Sequence, residues 1–185
     1  MVGHTEHHLK DSADLREKLE DVVIPPTHRI ISCDLVNMFT NVSTGDAIKL
    51  SGDRLKADAT LKERTPIKPD DIIRLLQLDI KLAYFRYDGE FYAQPRGLGI
   101  GKSTSSPLSD IFMEDFKQRA LASFPHKDSV QFWLRKADDT LISIHADHAD
   151  ALFTHINSMQ PDIKWTKEEE VGRQHHPPDQ RPSCI

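Results

Sequence analysis

The stretch Val130 to His145, VQFWLRKADDTLISIH, decides the fold. Val130 to Lys136 and Leu141 to His145 are apolar runs of strand length, rich in β-branched and aromatic residues. Between them Ala137-Asp138-Asp139-Thr140 reads as a tight polar turn. Two adjacent carboxylates in such a turn repel each other unless positive charge sits beside them. A divalent cation supplies it most simply, and Mg²⁺ prefers oxygen ligands. The plainer reading is an ordinary polar hairpin, because Asp is a common turn residue.

Outward from the turn, the next informative stretch is Arg29 to Leu35, RIISCDL, an apolar strand that closes on Asp34. Asp34 alone could be no more than a solvated strand end. Sheets, however, bring strand ends together. Asp34 and Asp138 would then lie on adjacent strands, their carboxylates converging on one solvent-open cleft. That arrangement suits a pair of metals roughly 3.5–4 Å apart, as used for in-line phosphoryl displacement.

The remaining elements alternate. A helix starts near Asp11 or Ser12, carries Leu15, Leu19 and Val22, and ends at Pro25-Pro26. A loop containing Gly45 and Gly52 follows, and Ser51 to Lys68 shows no period. Pro69 opens a helix with Ile72, Leu75 and Leu76 on one face. Asp88-Gly89 between two aromatic runs predicts a hairpin of 84–87 and 90–93. Pro95 to Ser105 reads as flexible, and Leu108, Ile111, Phe112 and Phe116 form a helical stripe. Another helix holds Leu152, His155, Ile156 and Met159, and Asp162 to Thr166 is a short last strand. The expected fold is α+β, a ferredoxin-like antiparallel sheet with helices packed on one face. Residues 1–28 form an N-terminal helical segment, 29–170 the main domain, and 171–185 a disordered tail without period.

Composition narrows the class. The 185 residues suit one domain with a sizeable core, 29% of them are charged, and the net charge is -5. That charge lacks the basic excess usual in nucleic-acid binders. Cys33 and Cys184 cannot build a disulfide framework and read as reduced thiols. No apolar run reaches the roughly 20 residues of a membrane span, and Met1 to Lys10 does not read as a signal peptide, so an intracellular protein, nuclear or cytoplasmic, is expected. The run Gly97 to Thr104 invites a phosphate-loop reading, but Arg96 stands where that motif needs its first glycine. The histidines at His4, His7, His8, His175 and His176, and the acidic run Glu168 to Glu170, read as solvated surface.

Four stretches in order resemble reverse transcriptases, most closely those of Penelope-like retroelements. SCDLVNMFTNV, 32–42, resembles the family's SFDVVSLFTNVP. YAQPRGLGIGKSTSSPLSDIFME, 92–114, is similar without gaps to YxQxxGxxMGSPxSPxxAdIfME. FWLRKADDT, 132–140, resembles WxRYVDDT, and IKWTKEEE, 163–170, resembles IxFTxExE. The resemblance implies a polymerase palm, an RNA-directed DNA polymerase that joins dNTPs to a primer 3′-hydroxyl on an RNA or DNA template. It implies that Asp34, Asp138 and Asp139 hold two Mg²⁺ or Mn²⁺ ions. It gives Leu35 a carbonyl facing the metal, makes Phe39 the aromatic that excludes a ribose 2′-hydroxyl, and sets Ile100-Gly101 beneath the incoming nucleotide.

This chain departs from the family at several points. Lys136 replaces the tyrosine before the Asp pair, Lys102 replaces the serine after Gly101, and the residues beyond Glu170 lack the family's LPFLDV-like continuation. The family's fingers, thumb and nuclease parts have no counterpart among these motifs. The alternative expectation is therefore an inactive retroelement relic or interaction fragment that keeps the palm fold.

Overall fold

The structure, a computed structural model, describes residues 8–168. The expected tail 171–185, His4, His7, His175, His176 and Cys184 lie outside the described residues, and the acidic run is described only at Glu168.

Asp11 starts α1 (Ser12–Leu19) as its N-cap, its side chain accepting from the amides of Ala13 and Asp14 at 2.9 Å each. The helix stops at Leu19, well short of the expected stop at Pro25-Pro26. β1 (His28–Leu35) follows, then the short helices α2 (Met38–Asn41) and α4 (Leu61–Arg64) on either side of α3 (Thr44–Ala57). The expected loop over this region is thus corrected: Gly45 and Gly52 lie inside a helix. Its buried residues are Ala47, Ser51 and Gly52, so small side chains fill the centre of the inward face, with Ile48 and Leu55 only half-buried beside them. A Cβ on Gly52 would come within 2.8 Å of Ile73 Cδ1, so the missing side chain permits close helix packing.

α5 (Pro69–Lys81) begins on its proline as expected. Its inward side is Ile72, Leu76 and Ile80, whereas Leu75 is 56% exposed, contrary to the expected face. β2 (Tyr84–Tyr87) and β3 (Glu90–Ala93) form the expected hairpin, with Asp88 and Gly89 both at positive φ, as a two-residue turn of this type requires. α6 (Ser105–Ser123) buries the whole stripe Leu108, Ile111, Phe112 and Phe116. β4 (Val130–Lys136) and β5 (Asp139–His145) follow, then α7 (Ala149–Ser158) and β6 (Trp165–Glu168). The β4–β5 turn is shorter than expected: Asp139 and Thr140 belong to β5. The last strand starts three residues later than expected, because the Gln160 to Ile163 turn precedes it.

The main sheet has the order β4-β5-β1-β6, with every neighbouring pair antiparallel. The chain order strand, helices, hairpin, helix, strand gives the split ferredoxin-like layout. Ile31, Cys33, Leu35, Trp133, Ile142, Ile144 and Trp165 occupy one core with Phe112 and Phe116 of α6 and Leu152 and Ile156 of α7. Burial also pushes the Cys33 thiol up to about 11, so it stays protonated and unreactive. On the other sheet face, Leu9 and Leu15 lie beside Leu134 and Leu141, and the Leu9 amide donates to the Arg135 carbonyl at 2.8 Å.

The two helical glycines make opposite predictions. A Cβ at Gly45 meets nothing within 4 Å, so Gly45→Ala should raise stability by about 0.5 kcal/mol. Gly52→Leu should lower it by about 1–3 kcal/mol through overpacking against Ile73. Urea unfolding of both variants measures the two signs.

Candidate active site

The ladder between β1 and β5 runs from His28↔His145 to Cys33↔Thr140. Cys33 and Thr140 are both buried, at 0% and 2% exposure, and face the helices. Strand alternation turns the next residue of each strand to the opposite face. Asp34 and Asp139 are each the next residue beyond that last pair, at the open end of the ladder. Asp138 stands in the turn before β5, so the three expected carboxylates lie toward the same end of the β1–β5 pair. Asp34 is half-buried and paired with Thr166 of β6, while Asp138 and Asp139 are exposed. Among the described residues, no three His, Cys, Asp or Glu side chains are drawn close enough to hold a metal ion. The donor set is nevertheless the right kind for Mg²⁺ or Mn²⁺, all carboxylate oxygen at a solvent-open strand end.

Lys136 is the direct register partner of Asp139. Directly opposed residues share a face, so Lys136 lies on the same face of the sheet as Asp139.

The turn is held by groups that the motif reading missed. Ala137 sits at φ 52°, a left-handed conformation that costs an alanine roughly 1–2 kcal/mol. Arg135 Nη1 donates to the Ala137 carbonyl at 2.6 Å, and Nη2 donates to Asp110 Oδ1 of α6 at 2.8 Å. The two side chains are only 8% and 14% exposed. Arg135 thereby ties the carboxylate turn to the core helix. The available signal was the alternation of β4: Arg135 follows Trp133 at an inward position, where a charge needs a partner.

Leu35 is 2% exposed and its side chain belongs to the core, which leaves only its backbone for a site role. Phe39 is half-buried in α2 and packs against the core. Its carbonyl accepts from the Leu98 amide at 2.6 Å. That contact brings in Gly97, also missed: at φ 69°, a Cβ there would meet the Phe39 carbonyl oxygen and lie 2.5 Å from Thr40 Cα. The segment expected to be flexible is pinned: Gln94 Nε2 donates to the carbonyls of Arg96 and Leu98, and Ser105 Oγ donates to Gly99. Ile100, 78% exposed, and Gly101, at φ 87°, form the solvent-facing tip of this segment.

Lys102 is committed elsewhere than to a phosphate. Its Nζ binds Asp79 Oδ1 of α5 at 2.9 Å and also the Asp79 carbonyl, while Thr104 Oγ1 binds Asp79 Oδ2 at 2.5 Å. The Thr104 and Lys102 hydrogen bonds hold the Asp79 carboxyl below its ordinary range.

No family model and no curated protein matches the chain. Solved structures do. A telomerase from Candida tropicalis truncated from its C-terminal domain is 15% identical with a TM-score of 0.65, over 90% of this chain and 37% of that one. Apo telomerase from Candida tropicalis is 13% identical, with a TM-score of 0.64 over 90% and 33%. Telomerase from Candida albicans in complex with a TWJ fragment of telomeric RNA is 14% identical, with a TM-score of 0.62 over 90% and 31%. The chain spans about a third of the length of these structures. The fold is reverse-transcriptase-like, an antiparallel palm-type sheet backed by helices. Among the described residues, no helix is long and apolar enough to cross a membrane.

Arg135→Met should cost about 3–5 kcal/mol in urea unfolding, because it strands the shielded Asp110. Adding Asp110→Leu should recover most of that loss. For Asp79, a lowered folded-state pKa stabilises above the unfolded value and is lost as pH falls through the folded value. The Lys102–Asp79–Thr104 tether should therefore survive mild acid, and NMR titration of the Asp79 carboxyl should show its midpoint below that of an unfolded peptide.

Proposed function

We propose that this chain is the palm of an RNA-directed DNA polymerase of Penelope-like type, acting on a primed RNA or DNA template with dNTPs in an intracellular, nuclear or cytoplasmic setting. The observation that carries the proposal is the end of the β1–β5 ladder, where Asp34 and Asp139 follow the same register and Asp138 stands in the adjoining turn. Asp34, Asp138 and Asp139 would hold Mg²⁺ or Mn²⁺, which when bound activates a hydroxyl and offsets charge at a phosphoryl group.

The other roles belong to the chain's own groups. Arg135 keeps the Ala137 carbonyl and its turn in one geometry. Phe39 is the aromatic that would meet the sugar of a ribonucleotide and exclude it. The tip at Ile100-Gly101 lets a nucleotide approach the backbone, with no Cβ at Gly101 in the way. Gly97 fixes the spacing between that tip and Phe39 through the Leu98–Phe39 hydrogen bond.

One observation favours a second reading, an inactive relic or interaction fragment. Lys136 is the register partner of Asp139, and an ammonium there competes with a cation for the same carboxylates. Nucleotidyl transfer also requires the primer hydroxyl to be held in line with the phosphate, which the palm by itself does poorly.

The 185-residue chain alone should therefore show little or no primer extension. Lys136→Tyr should tighten Mn²⁺ binding, read by quenching of the free Mn²⁺ EPR signal. Fingers and thumb from a related reverse transcriptase, fused to the Lys136→Tyr chain, should restore extension that Asp138→Ala abolishes. Robust extension by the unmodified chain, lost on Asp138→Ala, would overturn the inactive reading. A fusion that binds primer-template but neither Mn²⁺ nor dNTP would overturn the polymerase reading.

A further inference from the structure

A cavity of about 670 Å³ opens between α3, α4, α5 and α6. Its wall is mainly apolar, formed by Leu55, Leu61, Ile72, Leu76, Leu108 and Ile111. None of Asp34, Asp138 or Asp139 lines it, so it is separate from the site above. Its size falls in the range of pockets that enclose small organic ligands, roughly 300–1,000 Å³. An apolar pocket of this kind takes an apolar body, and the few polar groups at its edge select the head.

Those edge groups carry a net positive charge. Arg54, Arg64 and Asp58 are its charged residues. Asp58 is already saturated: it accepts from the Thr60 amide at 2.9 Å and hydroxyl at 2.7 Å, and it pairs with Arg64. The Thr60 hydrogen bonds, together with Arg64, hold its carboxyl below the usual range, so this pair stays internally neutralised. Arg54 remains as the uncompensated cation; among the described residues no ion pair or hydrogen bond engages it, and it is exposed. A guanidinium beside an apolar chamber complements an anion with an apolar tail.

We propose that this cavity is a binding site for a small amphipathic acid, an aliphatic or aromatic body bearing one carboxylate, with Arg54 on the carboxylate. The tail would lie among Leu55, Leu76 and Ile111. Ser103 and Thr104 also line the cavity, and Thr104 is bonded to Asp79, so an occupant would touch the base of the Gly97–Thr104 segment.

The test uses the full chain with decanoate and, as a charge-reversed control of equal chain length, decyltrimethylammonium. Calorimetry should give one decanoate per chain, and decanoate should raise the melting temperature. Decyltrimethylammonium should bind at least about tenfold more weakly. Arg54→Glu, an exposed change that leaves the core intact, should weaken decanoate by about tenfold or more and relieve the discrimination against the cation. Leu76→Trp should fill the chamber and abolish binding. Equal binding of the two amphiphiles, or decanoate binding indifferent to Arg54→Glu, would overturn the proposal and point to the exposed aromatic hairpin instead. Absence of decanoate binding at millimolar concentration, as when an apolar segment of the chain itself fills the cavity, would overturn it too. If Leu76→Trp does not fold, the Arg54→Glu comparison decides alone.

Discussion

The antiparallel pairing of β1 with β5 is the constraint on which the rest depends. Its register sets Ile31 against Ile142 and Cys33 against Thr140, so one face of the sheet becomes the wall that α6 and α7 cover. Side-chain alternation has period two, and a slip of β1 by one residue would turn Ile31, Cys33 and Leu35 away from the helices. The same slip would carry Asp34 toward the core. Burial of the apolar face and presentation of the carboxylates are thus one event. No separate device is required to expose the acids.

Backbone closeness is the second theme. α3 approaches α5 over Gly52, and the segment after β3 approaches α2 over Gly97. At Gly97 the restriction is twofold, since the positive φ and the Phe39 carbonyl each exclude a side chain. The hydrogen bond from Leu98 to Phe39 then links two regions far apart in sequence, α2 and the lead-in to α6. A tip carrying Ile100 and Gly101 can be solvent-facing yet fixed in place because both of its flanks are tied, one to Phe39 and the other, through Lys102, to Asp79.

The Arg135–Asp110 pair joins these themes. A shielded ion pair contributes little net stability, because desolvation offsets most of its attraction. Its value here is geometric: the spare guanidinium nitrogen reaches the Ala137 carbonyl and holds an alanine in a conformation it would otherwise leave. Lys136, one residue on, lies on the opposite face as the register partner of Asp139. Two successive basic residues thus occupy opposite faces of one strand, one bracing the turn and the other in register with Asp139.

Local pattern determined a good part of this protein by itself. The Asp88-Gly89 hairpin, the apolar stripe of α6, the Asp11 cap and the paired strands around Ala137-Asp138 all follow from neighbours within a few residues, where periodicity and turn chemistry act. The α+β layout was legible for the same reason. Tertiary structure alone decided the rest. α3 was invisible because its inner face is Ala47, Ser51 and Gly52, small residues chosen by the nearness of α5 rather than by helical hydrophobicity. Leu75 was assigned to the wrong side because periodicity marks apolar residues and not what covers them. Asp34 and Asp139 could each be named as acids, but their adjacency belongs to a register spanning more than a hundred residues. The bracing of that turn by Asp110 is equally a long-range choice, made by a helix that no local rule connects to it.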